Sequence, residues 1–162
     1  MFLKKIFRNI SMKFSSDPMK LYDYAISIKK TDKEKAKRLL LEVIASGIAL
    51  ANCDLGIIFI EENDYDSAYQ CFKKAESIPE GKYNIALLTQ SGLGVKKDLK
   101  LAFDLFIEVA ELGLTRAYFD VAISYEKGMG VEKNIKEAIK WYKKSANVND
   151  AFGQCNLGTI FS

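Results

Sequence analysis

Ser27 and Lys30 stand three residues apart in Ser27-Ile28-Lys29-Lys30, a spacing at which a serine hydroxyl can act as nucleophile beside a lysine amine. That chemistry would be acyl transfer. It needs an SDN-type and a KTG-type companion segment, and the nearest approach to either is Lys30-Thr31-Asp32, which overlaps the same residues. The stretch therefore reads as a solvated helix end. Glu61, Glu62, Asp64 and Asp66 crowd carboxylates together, but a calcium loop requires alternating oxygen ligands, a central glycine and a terminal glutamate, and that spacing is missing. Asp64 is better placed as a helix N-cap, with the other acids in the first turn where the helix dipole favours them. Gly92-x-Gly94 and Gly128-x-Gly130 lack the third glycine and the preceding strand of a phosphate-binding loop, so both read as turns.

Histidine is absent, which removes the commonest general base and the commonest metal ligand together. No Ser–His or Cys–His nucleophile pair can form within the chain. Cys53, Cys71 and Cys155 are odd in number and contain no CxxC spacing. They argue against zinc and against a disulfide framework, and for buried free thiols in a reducing cytoplasm. No cofactor or metal is expected, and no enzymatic activity.

What remains is architecture. Of the 162 residues, 49% are apolar and only two are proline, so long disordered linkers are not expected. No run of about 18 apolar residues could span a membrane. The leading stretch MFLKKIFRNISMKF has no continuous apolar core and no small-residue cleavage site, which is a poor fit to a secretory signal. Residues 1–38 carry eleven Lys and Arg against four acids, while residues 39–162 carry thirteen against seventeen. Residues 1–17 form a basic segment in which Phe2, Ile6 and Ile10 share one helical side with Leu3 and Phe7 adjacent, and Lys4, Lys5 and Arg8 mark the other. It reads as a cap on the first repeat; the alternative is weak contact with an anionic membrane surface. The cluster KKTDKEKAKR interleaves acids at helix-pairing distances, so it reads as a solvated face and no nucleic acid is expected as partner.

The chain writes one phrase twice. Ser91–Ala117 and Lys127–Gly153, thirty-six residues apart, share Gly, Gly, Val, Lys, Lys, Ala and Ala at matched positions. In the later copy Asn134 and Glu137 make a capping box, and Ile135, Ala138, Ile139, Tyr142 and Ala146 form an apolar stripe at helical spacing. Val121, Ala122 and Tyr125 sit on a preceding helix that begins near the N-cap candidate Thr115, with Gly128 and Gly130 in the turn between. The phrase is a helix–turn–helix hairpin that cannot bury its apolar faces without neighbours. The earlier copy has its first helix around Tyr83 to Gln90, Asp98 as cap, and Gly113 ending its second helix. Further back, Leu55, Gly56, Phe59, Ala68 and Phe72 repeat the pattern with a shortened turn, EENDYD, and Pro79 starts the next helix. The first hairpin is fainter: Asp17-Pro18 starts it, Thr31 with Glu34 forms a capping box, Ala36 and Leu40 fill the second stripe, and Gly47 stops it. The repeats are expected at 18–47, 48–77, 78–113 and 114–149, with a half-repeat at 150–162 in which Leu157, Gly158 and Phe161 begin a capping helix.

These residues resemble the Sel-one-like repeat, a relative of the tetratricopeptide repeat. Ala117, Tyr125, Gly128, Gly130, Val131, Ala138, Trp141, Lys144 and Ala146 carry the resemblance best. It covers residues 48–162 well and 18–47 loosely. The Leu-Gly pair of the pattern is replaced by Ile85-Ala86 and Val121-Ala122, and the cysteines that staple some secreted members are missing. The expected fold is all-α: a right-handed α-α superhelix of about four hairpins plus a carboxy-terminal helix, with the first helix of each hairpin lining a concave face.

The resemblance implies a protein partner held on that face, as an adaptor target or as a toxin neutralised by a cytoplasmic immunity protein. A β-lactam-binding enzyme and a peripheral membrane regulator are the lesser alternatives. The candidate face holds Cys53, Tyr83, Phe119 and Cys155 at one position of successive helices, then Ile57, Leu87, Ile123 and Thr159, then Ile60, Gln90 and Glu126. Ile57, Tyr83, Leu87, Gln90, Phe119, Ile123 and Glu126 are the expected contact residues. Tyr83, Leu87, Phe119 and Ile123 should be central, with Gln90 and Glu126 orienting the partner. The competing reading is that these side chains pack helix on helix.

Overall fold

The computed structural model describes residues 17–147. Within them the chain folds into eight α-helices: α1 (Pro18–Ile28), α2 (Lys33–Ala45), α3 (Leu50–Glu61), α4 (Tyr65–Lys74), α5 (Pro79–Ser91), α6 (Leu99–Glu111), α7 (Ala117–Lys127) and α8 (Ile135–Asn147). They pair as hairpins I (α1/α2), II (α3/α4), III (α5/α6) and IV (α7/α8), and each helix packs on the next along the chain. The first helix of a hairpin is its helix A and the second its helix B. The expected amino-terminal segment up to residue 16 and the half-repeat with Cys155, Leu157, Gly158, Thr159 and Phe161 lie outside the described residues.

Short Asp and Asn side chains start most of the described helices by accepting from the free amides of the first turn. Asp17 does so for α1, Asp64 for α4 (from the Ser67 amide, 3.1 Å), Asp98 for α6 (from Leu101, 2.9 Å) and Asn134 for α8 (from Glu137, 3.2 Å). Two expected caps are displaced. Asp32, not Thr31, caps α2 through the Lys35 amide at 3.1 Å, while the Thr31 hydroxyl donates back to the Ile28 carbonyl at 3.2 Å. Thr31 still belongs to the turn that closes α1, and a carboxylate suits the positive end of a helix better than a hydroxyl. Thr115 caps nothing: α7 begins at Ala117 with no side-chain cap, held instead by the Ala117 amide on the Leu114 carbonyl.

The amide of each helix B cap donates to the same register of its helix A. Asp32 bonds Ile28 at 2.8 Å, Asp64 bonds Phe59 at 2.9 Å, Asp98 bonds Thr89 at 3.1 Å and Asn134 bonds Tyr125 at 2.8 Å. The shortened turn of hairpin II keeps this bond by placing Asn63 in the left-handed region at φ 61°, which asparagine tolerates. Small residues then bring the two helices of a hairpin together. Ala25, Ala86 and Ala122 are fully buried, and a Cβ at the equivalent Gly56 would strike the Phe72 ring. Opposite them Leu40, Phe72, Phe106 and Tyr142 are buried on helix B.

Between hairpins the cores are shared, as stacking requires. Leu40 and Val43 of hairpin I pack with Leu55 and Ile58 of hairpin II. Phe72 and Ala75 pack with Ile85 and Leu88 of hairpin III, and Phe106 and Val109 with Val121 and Tyr142 of hairpin IV. The second glycine of each Gly-x-Gly turn makes a further junction. A Cβ on Gly94 would overlap the carbonyl of Tyr65, the first residue of α4, and one on Gly130 would overlap the carbonyl of Leu99, the first residue of α6. Each turn thus sits backbone to backbone on helix B of the preceding hairpin.

Cys53 and Cys71 are buried free thiols. Burial pushes the Cys53 thiol up to about 12, with the charge of Asp54 adding to it, and burial raises Cys71 as well. At pH 8 the thiolate fraction of Cys53 is therefore roughly a thousandfold below that of an ordinary cysteine. A thiol-exchange reagent should leave both unmodified in the native protein and label both in urea, as read by mass spectrometry. Prompt native labelling of Cys53 would place it outside this core.

Candidate partner-binding groove

The helices A carry one aliphatic side chain each at a common register: Ile26, Ile57, Leu87 and Ile123, all half-buried. Their spacing follows from the shared cap-to-helix bond, which gives every hairpin the same rotation of helix A. The row sets one aliphatic side chain on each of four helices A, and three of its members are expected contact residues. Ile26 is the addition the structure makes; Ala25, aligned with Ala86 and Ala122, is the signal that carries the register into hairpin I.

The rings next to this strip are engaged in packing. Tyr83 lies against Phe106 with centroids 5.7 Å apart and carries the Arg116 guanidinium over its face at 4.9 Å. Its hydroxyl donates to Asp120 at 2.9 Å. Phe119 lies against Tyr142 at 5.8 Å, and both expected anchors border the core of hairpins III and IV. Glu126 accepts from the buried Tyr142 hydroxyl at 2.5 Å. Gln90 is half-buried at the end of α5. Tyr83, Phe119 and Glu126 thus link helix to helix, yet they are half-buried like Ile57, Leu87 and Ile123, and Ile57 and Leu87 border the core as well.

The register also pairs tyrosine with aspartate from one hairpin to the next. Tyr22 donates to Asp54 at 2.6 Å just as Tyr83 donates to Asp120. Burial, and then the Asp54 carboxylate beside it, push the Tyr22 phenol well above its ordinary range. Lys29 completes this site by bonding Asp54 at 3.2 Å, the two side chains being 20% and 16% exposed.

The charge clusters meet here too. Lys33 pairs with Glu61 at 2.9 Å, and Lys37 pairs with Glu62 at 3.0 Å and with Glu34 at 2.7 Å. Lys33 holds the Glu61 carboxyl below its usual range, while Glu34 and Glu62 raise the Lys37 ammonium. Glu61 and Glu62 are therefore not first-turn acids of α4; they close the end of α3 onto hairpin I. The lysines expected on a solvated face reach across to them because the shortened turn of hairpin II leaves its acids beside α2. Each exposed pair is worth little alone, and together they fix how the two hairpins meet. The other stretch that could have done chemistry is not assembled for it: the Ser27 hydroxyl donates to the Tyr24 carbonyl at 2.7 Å.

Comparison with known sequences finds the Sel1 repeat in residues 49–77, 79–114 and 115–150, the spans of hairpins II, III and IV. A Sel1 repeat protein from Oxalobacter formigenes superposes with a TM-score of 0.80 at 25% identity, over 88% of this chain and 63% of that one. A protective antigen of uropathogenic Escherichia coli with an SLR fold gives 0.79 at 25% identity, over 88% and 33%. This chain spans less than two thirds of either. Helicobacter pylori cysteine rich protein B gives 0.59 at 21% identity over 75% of this chain and 96% of that one, a likeness of fold. Comparison with curated proteins gave no match.

Proposed function

We propose, from the premise that this chain belongs to the Sel1 repeat family, that its helix A face is a groove gripping a partner protein. Proteins of this family are generally protein-interaction modules and non-catalytic scaffolds. The observation that carries the reading is the strip of Ile26, Ile57, Leu87 and Ile123, half-buried at one register of consecutive helices A. Apolar side chains repeated at that interval suit a partner helix or extended segment lying across the hairpins, with burial supplying the affinity. The thiols Cys53 and Cys71, free and buried, support a reducing compartment and hence the cytoplasm.

The test is capture on the immobilised chain from its source cells. Leu87→Gln with Ile123→Gln keeps side-chain length and removes apolar surface, so capture should be lost while helix content is kept and melting falls only modestly, Leu87 bordering the core. Tyr83→Ala with Phe119→Ala is a less clean probe, because these half-buried rings also pack on Phe106 and Tyr142 and their loss should lower the melting point as well as capture. Retained capture by the Gln variant would move the partner elsewhere, first to the cleft of about 570 Å³ between α2 and α4 lined by Leu41, Leu55, Phe59 and Cys71. The identity of what is captured separates an adaptor from an immunity protein, since only the latter should retain a toxin and suppress its activity.

A further inference from the structure

The Tyr–Asp pair joins hairpin I to II and hairpin III to IV, and the matching positions between II and III hold Cys53 and Asn84. Cys53 is too short to span the gap. The Asn84 amide turns inward and donates to the Glu80 carbonyl of its own helix at 2.9 Å. Among the described residues no side-chain hydrogen bond or ion pair crosses from hairpin II to III. By contrast Lys29, Lys33 and Lys37 reach from I to II, and Tyr83 and Arg116 tie III to IV. Cys53 of α3 is buried in one apolar cluster with Ile85 and Leu88 of α5. There α3 lies directly on α5, closer than α1 on α3 or α5 on α7, where a tyrosine stands between the helices.

The outer side of the same junction is pinned at both ends of α4. Gly94 sits on the Tyr65 carbonyl at the start of α4, and Gly81 sits on the Ala75 carbonyl just past its end, each where a Cβ would overlap the oxygen. Two backbone contacts at the ends of one helix define an axis along it. Directional bonds hold the outer junctions in one register, whereas apolar burial is non-directional and permits the small shear of packed helices. We propose that the junction between hairpins II and III is a hinge turning about α4, through which the groove widens and narrows between α3 and α5 while the two halves move as units. Its use in gripping a partner rests on the groove reading; the motion itself does not.

Glu61, Ser91 and Lys127 occupy one exposed register, the last residues of α3, α5 and α7. Nitroxides carried there by non-canonical residues leave the cysteines untouched and need no partner. Pulsed electron resonance on the parent should give a broader distance distribution for positions 61 and 91, which span the hinge alone, than for 91 and 127, which span the tyrosine-latched junction. Equal widths would overturn the hinge. Cys53→Tyr with Asn84→Asp installs the missing pair, and should narrow the 61–91 distribution to that of 91–127 and leave the latter unchanged. An unchanged 61–91 width in a folded variant would overturn the role given to the missing pair. If this variant fails to fold, the parent comparison decides. Loss of the hinge with retained sensitivity of capture to Leu87→Gln and Ile123→Gln would leave the groove standing without it.

Discussion

Gly130→Ala should destabilise the protein by about 2–5 kcal/mol, from left-handed strain added to steric overlap. Gly130 has φ 76°, and a Cβ there would enter the Leu99 carbonyl, which is itself fixed at the first turn of α6. Neither backbone can retreat without breaking the Asp98 cap or the Gly-x-Gly turn. Gly128, two residues earlier, makes the internal control. It has φ 71°, but its Cβ would meet only ordinary contacts with Lys133 and Val131. Gly128→Ala should therefore cost only about 1–2 kcal/mol. Thermal melting followed by circular dichroism separates the two. Equal losses would mean that Gly130 serves its turn alone and that the contact between hairpins does not matter.

Ala138→Asp is expected to be at least as severe. Ala138 is fully buried, in the cluster that holds Ala122, Phe106 and Tyr142. A carboxylate introduced there has no cation to meet, and an uncompensated buried charge costs about 3–5 kcal/mol. Because hairpin IV shares its core with hairpin III, the loss should appear as a lower, broader melting transition that spreads beyond α7 and α8. Ala138→Gly, which leaves only a small void and a helix penalty, should cost about 1 kcal/mol. An Ala138→Asp protein that melts like the parent would place this side chain in solvent and dismantle the register used for every hairpin.

Much of this fold is written in residue types at fixed offsets. The caps at Asp17, Asp64, Asp98 and Asn134, the glycines at 92 and 128, and the small residues at 86 and 122 all act within one hairpin, so local spacing is enough to find them. Thr31 misleads because cap preference does not say which of two adjacent polar residues leaves the preceding turn first, and Thr115 because α7 starts with no side-chain cap at all. The contacts of Lys33 and Lys37 with Glu61 and Glu62 are invisible for another reason. They depend on how one hairpin is rotated on the next, which no periodicity within a helix records. The same limit governs the groove. Helical spacing puts Tyr83 and Ile57 on the same face, and both are half-buried, but only the neighbouring helix shows that Tyr83 also bonds Asp120 and lies on Phe106.

The seating of each Gly-x-Gly turn on the preceding helix B makes the order of hairpins part of their chemistry. Hairpins III and IV carry a plug at Gly94 or Gly130, and α4 and α6 present a socket at Tyr65 or Leu99. Hairpin II carries no plug and joins hairpin I by charge instead. An extra hairpin of the III or IV type could therefore be spliced between III and IV, where plug meets socket on both sides, and lengthen the array by one unit. The same insert between I and II would present its plug to α2 and strand Glu61 and Glu62 away from their lysines. The array is extensible at one end and keyed at the other.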